Sequence, residues 1–271
     1  MRCNHAPFGG VKTRELTDHP ACESAYWTRS NIRKQPLPHM KGQPLSRWCT
    51  RGVVLWRLPR LVGVEGAEAI AEANDPFILV ANHSTRVEAI LLPCLLALMR
   101  GGRRVHFLAD WNFALIPPVG LLYWLGETIV LTRKSAKPRF LNVFKPLFTS
   151  RATGFERARQ RLEAGQSVGV FPEGTTNRRP DRLLRGYSGA AQLSLNTGLP
   201  LLPVGMVYPE RDPAAQIRDQ DPLRIRIGQP LYPDKAVTRP ELAEVRAWHA
   251  RMMQEIARLS GKHWRADAGR R

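Results

Sequence analysis

The sequence contains no apolar run that reaches the roughly 18 residues needed for a membrane-spanning helix. The longest candidates are residues 89–99 and 111–126, and the second is interrupted by Pro117 and Pro118. The N-terminus also lacks the charged-then-apolar pattern of a secretory signal peptide. We therefore expect any contact with a membrane to be made at its surface.

Cysteine is scarce and widely spaced. Cys3, Cys22, Cys49 and Cys94 include no C-x-x-C pair, so the chain lacks the close grouping of a metal site or a disulfide framework. We expect reduced, incidental thiols in a cytosolic setting, and no metal.

Acidic residues are few relative to basic ones. The 271 residues include 23 Asp and Glu against 41 Lys and Arg, which gives a formal net charge of +18. An excess of this size predicts anionic partners, which are nucleic acid, an acidic membrane surface or phosphorylated substrates. The sequence has no helix-turn-helix, zinc or aromatic RNA-binding signature, so a nucleic-acid partner is not expected.

The composition divides the chain into an extension, one domain and a short tail. Residues 1–45 carry Pro, Gly and scattered charge without a period, which predicts disorder. Residues 46–262 suit a single domain, and residues 263–271 form a basic tail.

A basic amphipathic segment opens the domain at residues 46–64. The segment interleaves basic with aromatic side chains, which are Arg51, Arg57, Arg60, Trp48 and Trp56. Such a mixture is typical of a segment that lies in a membrane interface. It equally suits a first helix packed on the core, and the two interpretations are compatible.

Strand and helix signals alternate through the rest of the domain. Short apolar runs predict strands at 77–81, 128–131, 167–171, 199–207 and 223–227. Helical signals cover 88–99, 189–197, 241–259 and a segment that opens at a Thr153–Glu156 capping box and stops at Gly165. This alternation predicts an α/β fold, a single domain with a central mostly parallel or mixed sheet flanked by helices.

The stretch from Asn82 to Glu88 follows the first of these strands directly and contains His83. Ligands commonly bind where strands of an open α/β sheet end, and a histidine oriented by a carboxylate is suited to general-base catalysis. A spacing of five does not share a face within an ideal helix, so His83 and Glu88 meet only if His83 lies on the turn that enters the helix. The alternative is a capping or core histidine.

A Pro-Glu-Gly-Thr turn at residues 172–175 follows the strand that ends at Phe171. Backbone N–H groups of such a turn and the hydroxyl of Thr175 can hold phosphate oxygens. The alternative is an ordinary turn at the end of a strand, followed by a solvated basic loop.

Taken together, the two stretches resemble the glycerolipid acyltransferase family, whose best-known members are 1-acylglycerol-3-phosphate acyltransferases. The segment from Gly126 to Arg133 is similar to the family's second block, and the strand from Leu199 to Val204 is similar to its fourth. The blocks occur in the family's order, and the resemblance covers roughly residues 50 to 235.

The resemblance implies His83 as the general base and Glu88, where the family usually has Asp, as its acidic partner. It implies that Arg133, Glu173, Gly174 and Thr175 bind the phosphate end of the acceptor, and that Pro203 belongs to the acyl-donor side. The implied reaction transfers an acyl group from acyl-CoA or acyl carrier protein to a lysolipid hydroxyl, with lysophosphatidate as the default acceptor. Apart from that co-substrate no cofactor is expected, and the enzyme would lie peripherally on the cytoplasmic face of an anionic membrane.

Three alternatives remain open at this point. In the first, the acceptor is another lysolipid, such as a lyso-aminolipid. In the second, the chain is a non-catalytic family member, as the Glu at position 88 suggests. The third is a serine hydrolase with Ser188 as nucleophile, although the G-x-S-x-G motif is absent.

Overall fold

The computed structural model describes residues 28–136, 138–209 and 214–266, which include one seven-stranded sheet. The strands are β1 Leu61–Glu65, β2 Ile78–Ala81, β3 His106–Asp110, β4 Ile129–Leu131, β5 Val168–Val170, β6 Leu201–Val207 and β7 Leu223–Ile227. The α-helices are α1 Arg29–Lys34, α2 Pro44–Arg57, α3 Glu88–Met99, α4 Pro117–Leu125, α5 Gly154–Glu163, α6 Gly189–Thr197 and α7 Leu242–Ser260.

The sheet is mixed, as predicted, and its order is β1-β7-β6-β2-β5-β3-β4. Five strands, β2 to β6, run parallel to one another, whereas β7 is antiparallel to β6 and pairs in parallel with β1. The five parallel strands therefore end at a common edge, where the loops that follow them meet.

Helices cover both faces of the sheet, which confirms the predicted flanked arrangement. Alternate residues of β2 face opposite sides because side chains of a strand point alternately up and down. Leu79 belongs to the core cluster formed with α2 and α3, whereas Ile78 belongs to the cluster formed with α5, α6 and α7. All four residues of β2 are buried, as expected for a central parallel strand.

Elements with strong local signals occur where the sequence predicts them. Helices α3 and α6 have the predicted bounds, and Thr153 and Glu156 form both hydrogen bonds of the capping box. Strands β1 and β3, helix α4 and a 3₁₀ segment at Arg139–Phe148 were not predicted. Strand β3 reads HFLAD and contains no β-branched residue, so its sequence gives little strand signal.

The predicted disorder of residues 1–45 is wrong from residue 28 onward, and residues 1–27 lie outside the described residues. Ile32, Leu37 and Met40 are buried in the core, and burial of apolar surface repays the cost of ordering the segment. The predicted tail also begins within the domain, because the His263 backbone N–H donates to the Asp181 carbonyl at 2.8 Å. Residues 267–271 of that tail lie outside the described residues.

Helix α2 has buried residues that pack on the protein and exposed residues on its surface. Trp48 and Trp56 are 72% and 59% exposed. Arg57 is buried and donates to the Asp219 carbonyl at 2.7 Å, and Arg51 donates to the Gln35 carbonyl at 2.8 Å. These two arginines are therefore committed to contacts within the protein.

The predicted 46–64 segment is not a single element, because residues 61–64 belong to strand β1. Within the described ranges, no helix combines the length and the apolar content required to cross a bilayer.

A close approach between helix α7 and strand β6 gives a stability prediction. A Cβ added at Gly205 would lie 2.4 Å from the Leu259 carbonyl carbon, which is backbone and cannot move aside. We expect Gly205→Ala to lower the free energy of unfolding by about 1–3 kcal/mol, as overpacking does. A Cβ added at Gly52 on α2 would have no atom within 4 Å. Gly52→Ala should therefore raise the free energy of unfolding by up to about 1 kcal/mol. Denaturant unfolding of the two variants measures both effects, and equal stabilities would contradict the packing described.

Candidate active site

His83 lies in the loop between strand β2 and helix α3, at the edge where the parallel strands end. The preceding residue, Asn82, is fully buried and fixes this loop to β6. Its side-chain amide donates to the Met206 carbonyl at 3.2 Å, and its Oδ1 accepts from the Met206 N–H at 2.6 Å. The end of β2 is thereby held at a defined position.

The His83 side chain contacts the Glu88 carboxylate. His83 Nδ1 lies 3.1 Å from Glu88 Oε2. His83 precedes α3 and Glu88 is its first residue, so the pair meets on the entering turn, as the spacing argument requires. An ionised carboxylate accepts a hydrogen bond from the protonated Nδ1, and this tautomer leaves Nε2 as the nitrogen that can receive a proton.

The Glu88 carboxylate is fully buried and accepts three further hydrogen bonds. Its Oε2 accepts from the Ser84 N–H at 2.6 Å and from the Thr85 N–H at 2.9 Å, and its Oε1 accepts from the Tyr208 hydroxyl. Four donors suit an ionised carboxylate, which only accepts hydrogen bonds. The longer side chain of Glu is therefore accommodated at this position.

Tyr208 is a site residue that the sequence reasoning missed. Burial raises the pKa of the Tyr208 hydroxyl well above its usual value, and the neighbouring Glu88 charge raises it further. The phenol therefore stays protonated and donates to Glu88. Tyr208 is the first residue after strand β6, and His83 is the second residue after strand β2. Parallel strands end at a common edge of the sheet, so a search for polar residues just after each strand would have found Tyr208.

The face of the imidazole ring packs on Phe171. The two ring centroids are 4.5 Å apart with an interplanar angle of 28°, and Phe171 in turn packs on Phe107 at 5.4 Å. Gly169 makes room for this stack, since a Cβ there would lie 2.7 Å from the Phe107 ring. Stacking and the Glu88 contact together fix the orientation of the His83 ring.

Glu173 is buried against the backbone of His83 and does not line the cavity beside it, and its contact with the acceptor stays a prediction. It is 4% exposed. Its Oε1 accepts from the His83 backbone N–H at 3.0 Å, and its Oε2 accepts from Asn177 Nδ2 at 2.8 Å and the Leu184 N–H at 2.9 Å. Burial raises the pKa of Glu173, and these hydrogen bonds oppose the rise. A carboxylate engaged in this way positions the histidine loop.

Lys262 is a second residue that the sequence gave no reason to select. It is 6% exposed, and its ammonium donates to Ser84 Oγ and to the Arg179 carbonyl, both at 2.9 Å. Its positive charge acts to lower the pKa of Glu173. Lys262 thus ties the end of helix α7 to the loop that carries His83.

A cavity of about 1370 Å³ opens beside His83. His83, Arg133, Gly174 and Thr175 all line it, so the structure brings these four predicted residues together. Arg133 and Thr175 are exposed. The cavity continues between α2, α3, α4 and β3 over mainly apolar side chains, among them Ile90, Ala97, Val105, Leu108 and Leu122.

The Gly174 corner is held by the residue next to Arg133. Lys134 Nζ donates to the Gly174 carbonyl at 2.5 Å and forms an ion pair with Asp110 at 2.9 Å. Gly174 has φ +66°, and a Cβ there would lie 2.5 Å from the Tyr187 ring, so the turn requires glycine. Arg133 and the Pro-Glu-Gly turn therefore border the same part of the cavity.

Pro203 does not line the cavity beside His83, and its assignment to substrate binding stays a prediction. It is buried in the middle of β6, where it pairs with Val80 of β2. Its carbonyl accepts from the Gly228 N–H at 2.8 Å, just beyond the end of β7. Its role in the described structure is in the sheet.

The two described cysteines also line the cavity, and both are free. Burial raises the pKa of Cys94 to about 12 and raises the pKa of Cys49 as well. Both thiols stay protonated, and a nucleophilic cysteine requires the thiolate. Neither thiol is therefore suited to nucleophilic attack, whereas an imidazole can take a proton from a hydroxyl bound beside it.

Residues 61–207, more than half of the chain, match the sequence profile of the family described as Acyltransferase. A chloroplastic 1-acyl-sn-glycerol-3-phosphate acyltransferase of Brassica napus is 25% identical over 178 residues, 64% of this chain and 46% of that protein. The chain thus spans about half the length of this relative.

A lyso-ornithine lipid O-acyltransferase of Pseudomonas aeruginosa is 28% identical over 243 residues, 84% of this chain and 83% of that protein. The crystal structure of the 1-acyl-sn-glycerophosphate acyltransferase PlsC from Thermotoga maritima superposes with a TM-score of 0.52 at 19% identity. It covers 87% of this chain and 82% of that one, and it shows that the fold is shared. On the profile match, the chain belongs to the acyltransferase family.

Proposed function

We propose that the protein transfers a fatty acyl group from the thioester of acyl-CoA or acyl carrier protein to the hydroxyl of a lysolipid. The observation that carries this proposal is the 3.1 Å contact of His83 Nδ1 with a fully buried Glu88, beside a large and mainly apolar cavity. A thioester is already activated, so positioning a hydroxyl beside it and removing the proton suffices for transfer.

In the proposed reaction His83 Nε2 takes the proton of the acceptor hydroxyl while the hydroxyl oxygen attacks the thioester carbonyl carbon. The tetrahedral intermediate then collapses, the C–S bond breaks, and the sulfur leaves with the proton returned by the imidazolium. Glu88 stabilises the imidazolium between these steps, as the acid does in a hydrolase triad. The products are an ester and a free thiol.

The default acceptor in this proposal is lysophosphatidate, which would become phosphatidate. Arg133 is exposed in the cavity next to the Pro-Glu-Gly turn, and a guanidinium can pair bidentately with phosphate oxygens. The hydroxyl of Thr175 lines the same region. Glu173 contributes indirectly, by holding the backbone of His83.

A lyso-aminolipid is the second candidate acceptor. Asp110 lines the cavity and forms an ion pair with Lys134 beside Gly174, so a carboxylate is present near the proposed headgroup site. The relative matched over most of its own length, 83%, carries the name of a lyso-ornithine lipid O-acyltransferase. An amino headgroup would find a counter-charge in Asp110.

The proposed location is the cytoplasmic face of an anionic membrane, with the enzyme bound peripherally. The support is the net charge of +18, because anionic lipid surfaces attract Lys and Arg side chains.

Replacing His83 by Ala should reduce acyl transfer by at least about a hundredfold, because the general base is lost. Initial rates with labelled acyl-CoA measure this change. His39→Ala is the matched control, since His39 is 40% exposed and lies outside the cavity. A His83→Ala protein with near-normal rates would rule out the mechanism.

Tyr208→Phe should lower kcat about tenfold and leave the KM of the acceptor unchanged, because it removes one hydrogen bond from a buried charge that orients the base. Tyr232→Phe is the matched control, since Tyr232 is 62% exposed. A change in KM alone would place Tyr208 in substrate binding and contradict the positioning role.

The acceptor is identified by offering a panel of lysolipids with labelled acyl donors and analysing the products by mass spectrometry. We expect Arg133→Ala to raise the KM of lysophosphatidate at least about tenfold, since a charge-assisted contact is lost. Arg159→Ala, on the exposed side of α5, serves as the control. If only a lyso-aminolipid is acylated and Asp110→Asn raises its KM instead, the second candidate replaces the first.

A further inference from the structure

Helix α4 is apolar throughout yet contains no buried residue. Its nine residues, PPVGLLYWL, include no charged side chain. The 3₁₀ segment Arg139–Phe148 also contains no buried residue, although six of its ten residues are Phe, Leu or Val. A helix that is apolar on all sides belongs in the interior of a protein or in a membrane, so α4 is incompletely covered as it stands. The 3₁₀ segment also carries Arg139, Asn142 and Lys145, but its six large apolar side chains are likewise not buried.

The large apolar side chains of these elements are concentrated in one part of the molecule. Trp124, Phe140 and Leu147 are 72%, 72% and 78% exposed. Further exposed apolar residues of the same stretch are Phe113, Ile116, Leu121, Val143 and Phe144. Single exposed apolar residues are ordinary, but a concentration of this kind marks an interaction surface. We call these eight residues the apolar face.

The two elements share one support. The short 3₁₀ turn Trp111–Leu115 leads directly into α4, and Trp111 is fully buried beneath the 3₁₀ segment, with its ring 5.8 Å from that of Phe148. Helix α4 and the 3₁₀ segment therefore lie next to each other, on either side of the 111–115 turn.

The charge around the apolar face is strongly positive. Residues 110–151 include six Lys and Arg against two acidic residues, Asp110 and Glu127, and Asp110 is paired with Lys134. Glu127 forms ion pairs with Arg104 and Arg161 and is thereby neutralised. An apolar surface with a basic surround is complementary to a lipid layer with anionic headgroups.

The apolar face is continuous with the cavity. Phe113 and Ile116 are exposed and also line the cavity wall, and Leu122 and Tyr123 of α4 line it from within. Arg133 and Arg151 complete the lining on the basic side. A lipid that left the bilayer here would enter the cavity without exposing its chains to water.

We infer that the apolar face inserts into an anionic lipid monolayer and delivers the lysolipid acceptor directly to the cavity beside His83. This inference rests on the proposed function. It makes the apolar face, and not helix α2, the principal membrane contact, because Arg51 and Arg57 of α2 are committed to the Gln35 and Asp219 carbonyls.

The test compares two matched double variants of the full chain. Phe140→Ser with Leu147→Ser alters the apolar face, and Trp48→Ser with Trp56→Ser alters α2; all four side chains are well exposed and none lines the cavity. Thermal unfolding of both variants tests whether they are folded. Binding is measured by co-sedimentation with phosphatidylcholine vesicles, with and without phosphatidylglycerol, at low and high salt.

The apolar-face variant should bind the anionic vesicles at least about thirtyfold more weakly than wild type, given the burial of two large side chains. The α2 variant should lose no more than about threefold, and wild type should bind more tightly with phosphatidylglycerol and at low salt. The inference is overturned if the α2 variant loses as much, if neither variant changes, or if wild type binds no vesicles.

A second readout separates this inference from the proposed function. With lysolipid dispersed in detergent, the apolar-face variant should transfer the acyl group at the wild-type rate. On vesicles its rate of transfer should be lower than that of wild type. Equal loss in detergent would show that the face serves folding or catalysis and would overturn the inference. Absence of transfer by wild type in detergent would count against the proposed function and leave the vesicle result unaffected.

Discussion

The buried carboxylate of Glu88 is the interaction on which the rest of the site depends. A charge removed from water is stable only when hydrogen-bond donors or an opposite charge replace the water. Here two backbone N–H groups, the Tyr208 hydroxyl and His83 Nδ1 donate to the carboxylate. Those donors come from the entering turn of α3 and the end of β6, so the charge is satisfied only when the sheet edge is assembled. Folding and the orientation of the imidazole are thus set by the same contacts.

The sequence predicted the elements whose signals are local. The capping box at Thr153 and the bounds of α3 depend on neighbouring residues, and so does the turn that lets His83 reach Glu88 across five positions. Tyr208 and Lys262 were missed because they reach the site through contacts 120 and 178 residues apart in the chain. Such contacts follow from the strand order, which a single sequence does not reveal.

Glu173 and Pro203 were both expected to bind substrate, and both are buried in contacts within the protein. A carboxylate is a poor partner for phosphate, and Glu173 instead accepts hydrogen bonds from the His83 backbone and the 177–184 loop. Pro203 lies at the centre of the sheet, where its missing N–H falls beyond the end of β7. Both residues preserve the shape of the site without touching the cavity.

The central claim is that His83 presents a free Nε2 to the cavity because Glu88 holds the proton on Nδ1. It is tested most directly by the ¹⁵N chemical shifts of the His83 ring, recorded at a pH where the ring is neutral and assigned by comparison with a His83→Gln protein. The account predicts a protonated Nδ1 and an unprotonated Nε2. A ring that carries its proton on Nε2 would contradict the account, because that nitrogen could not then act as the base.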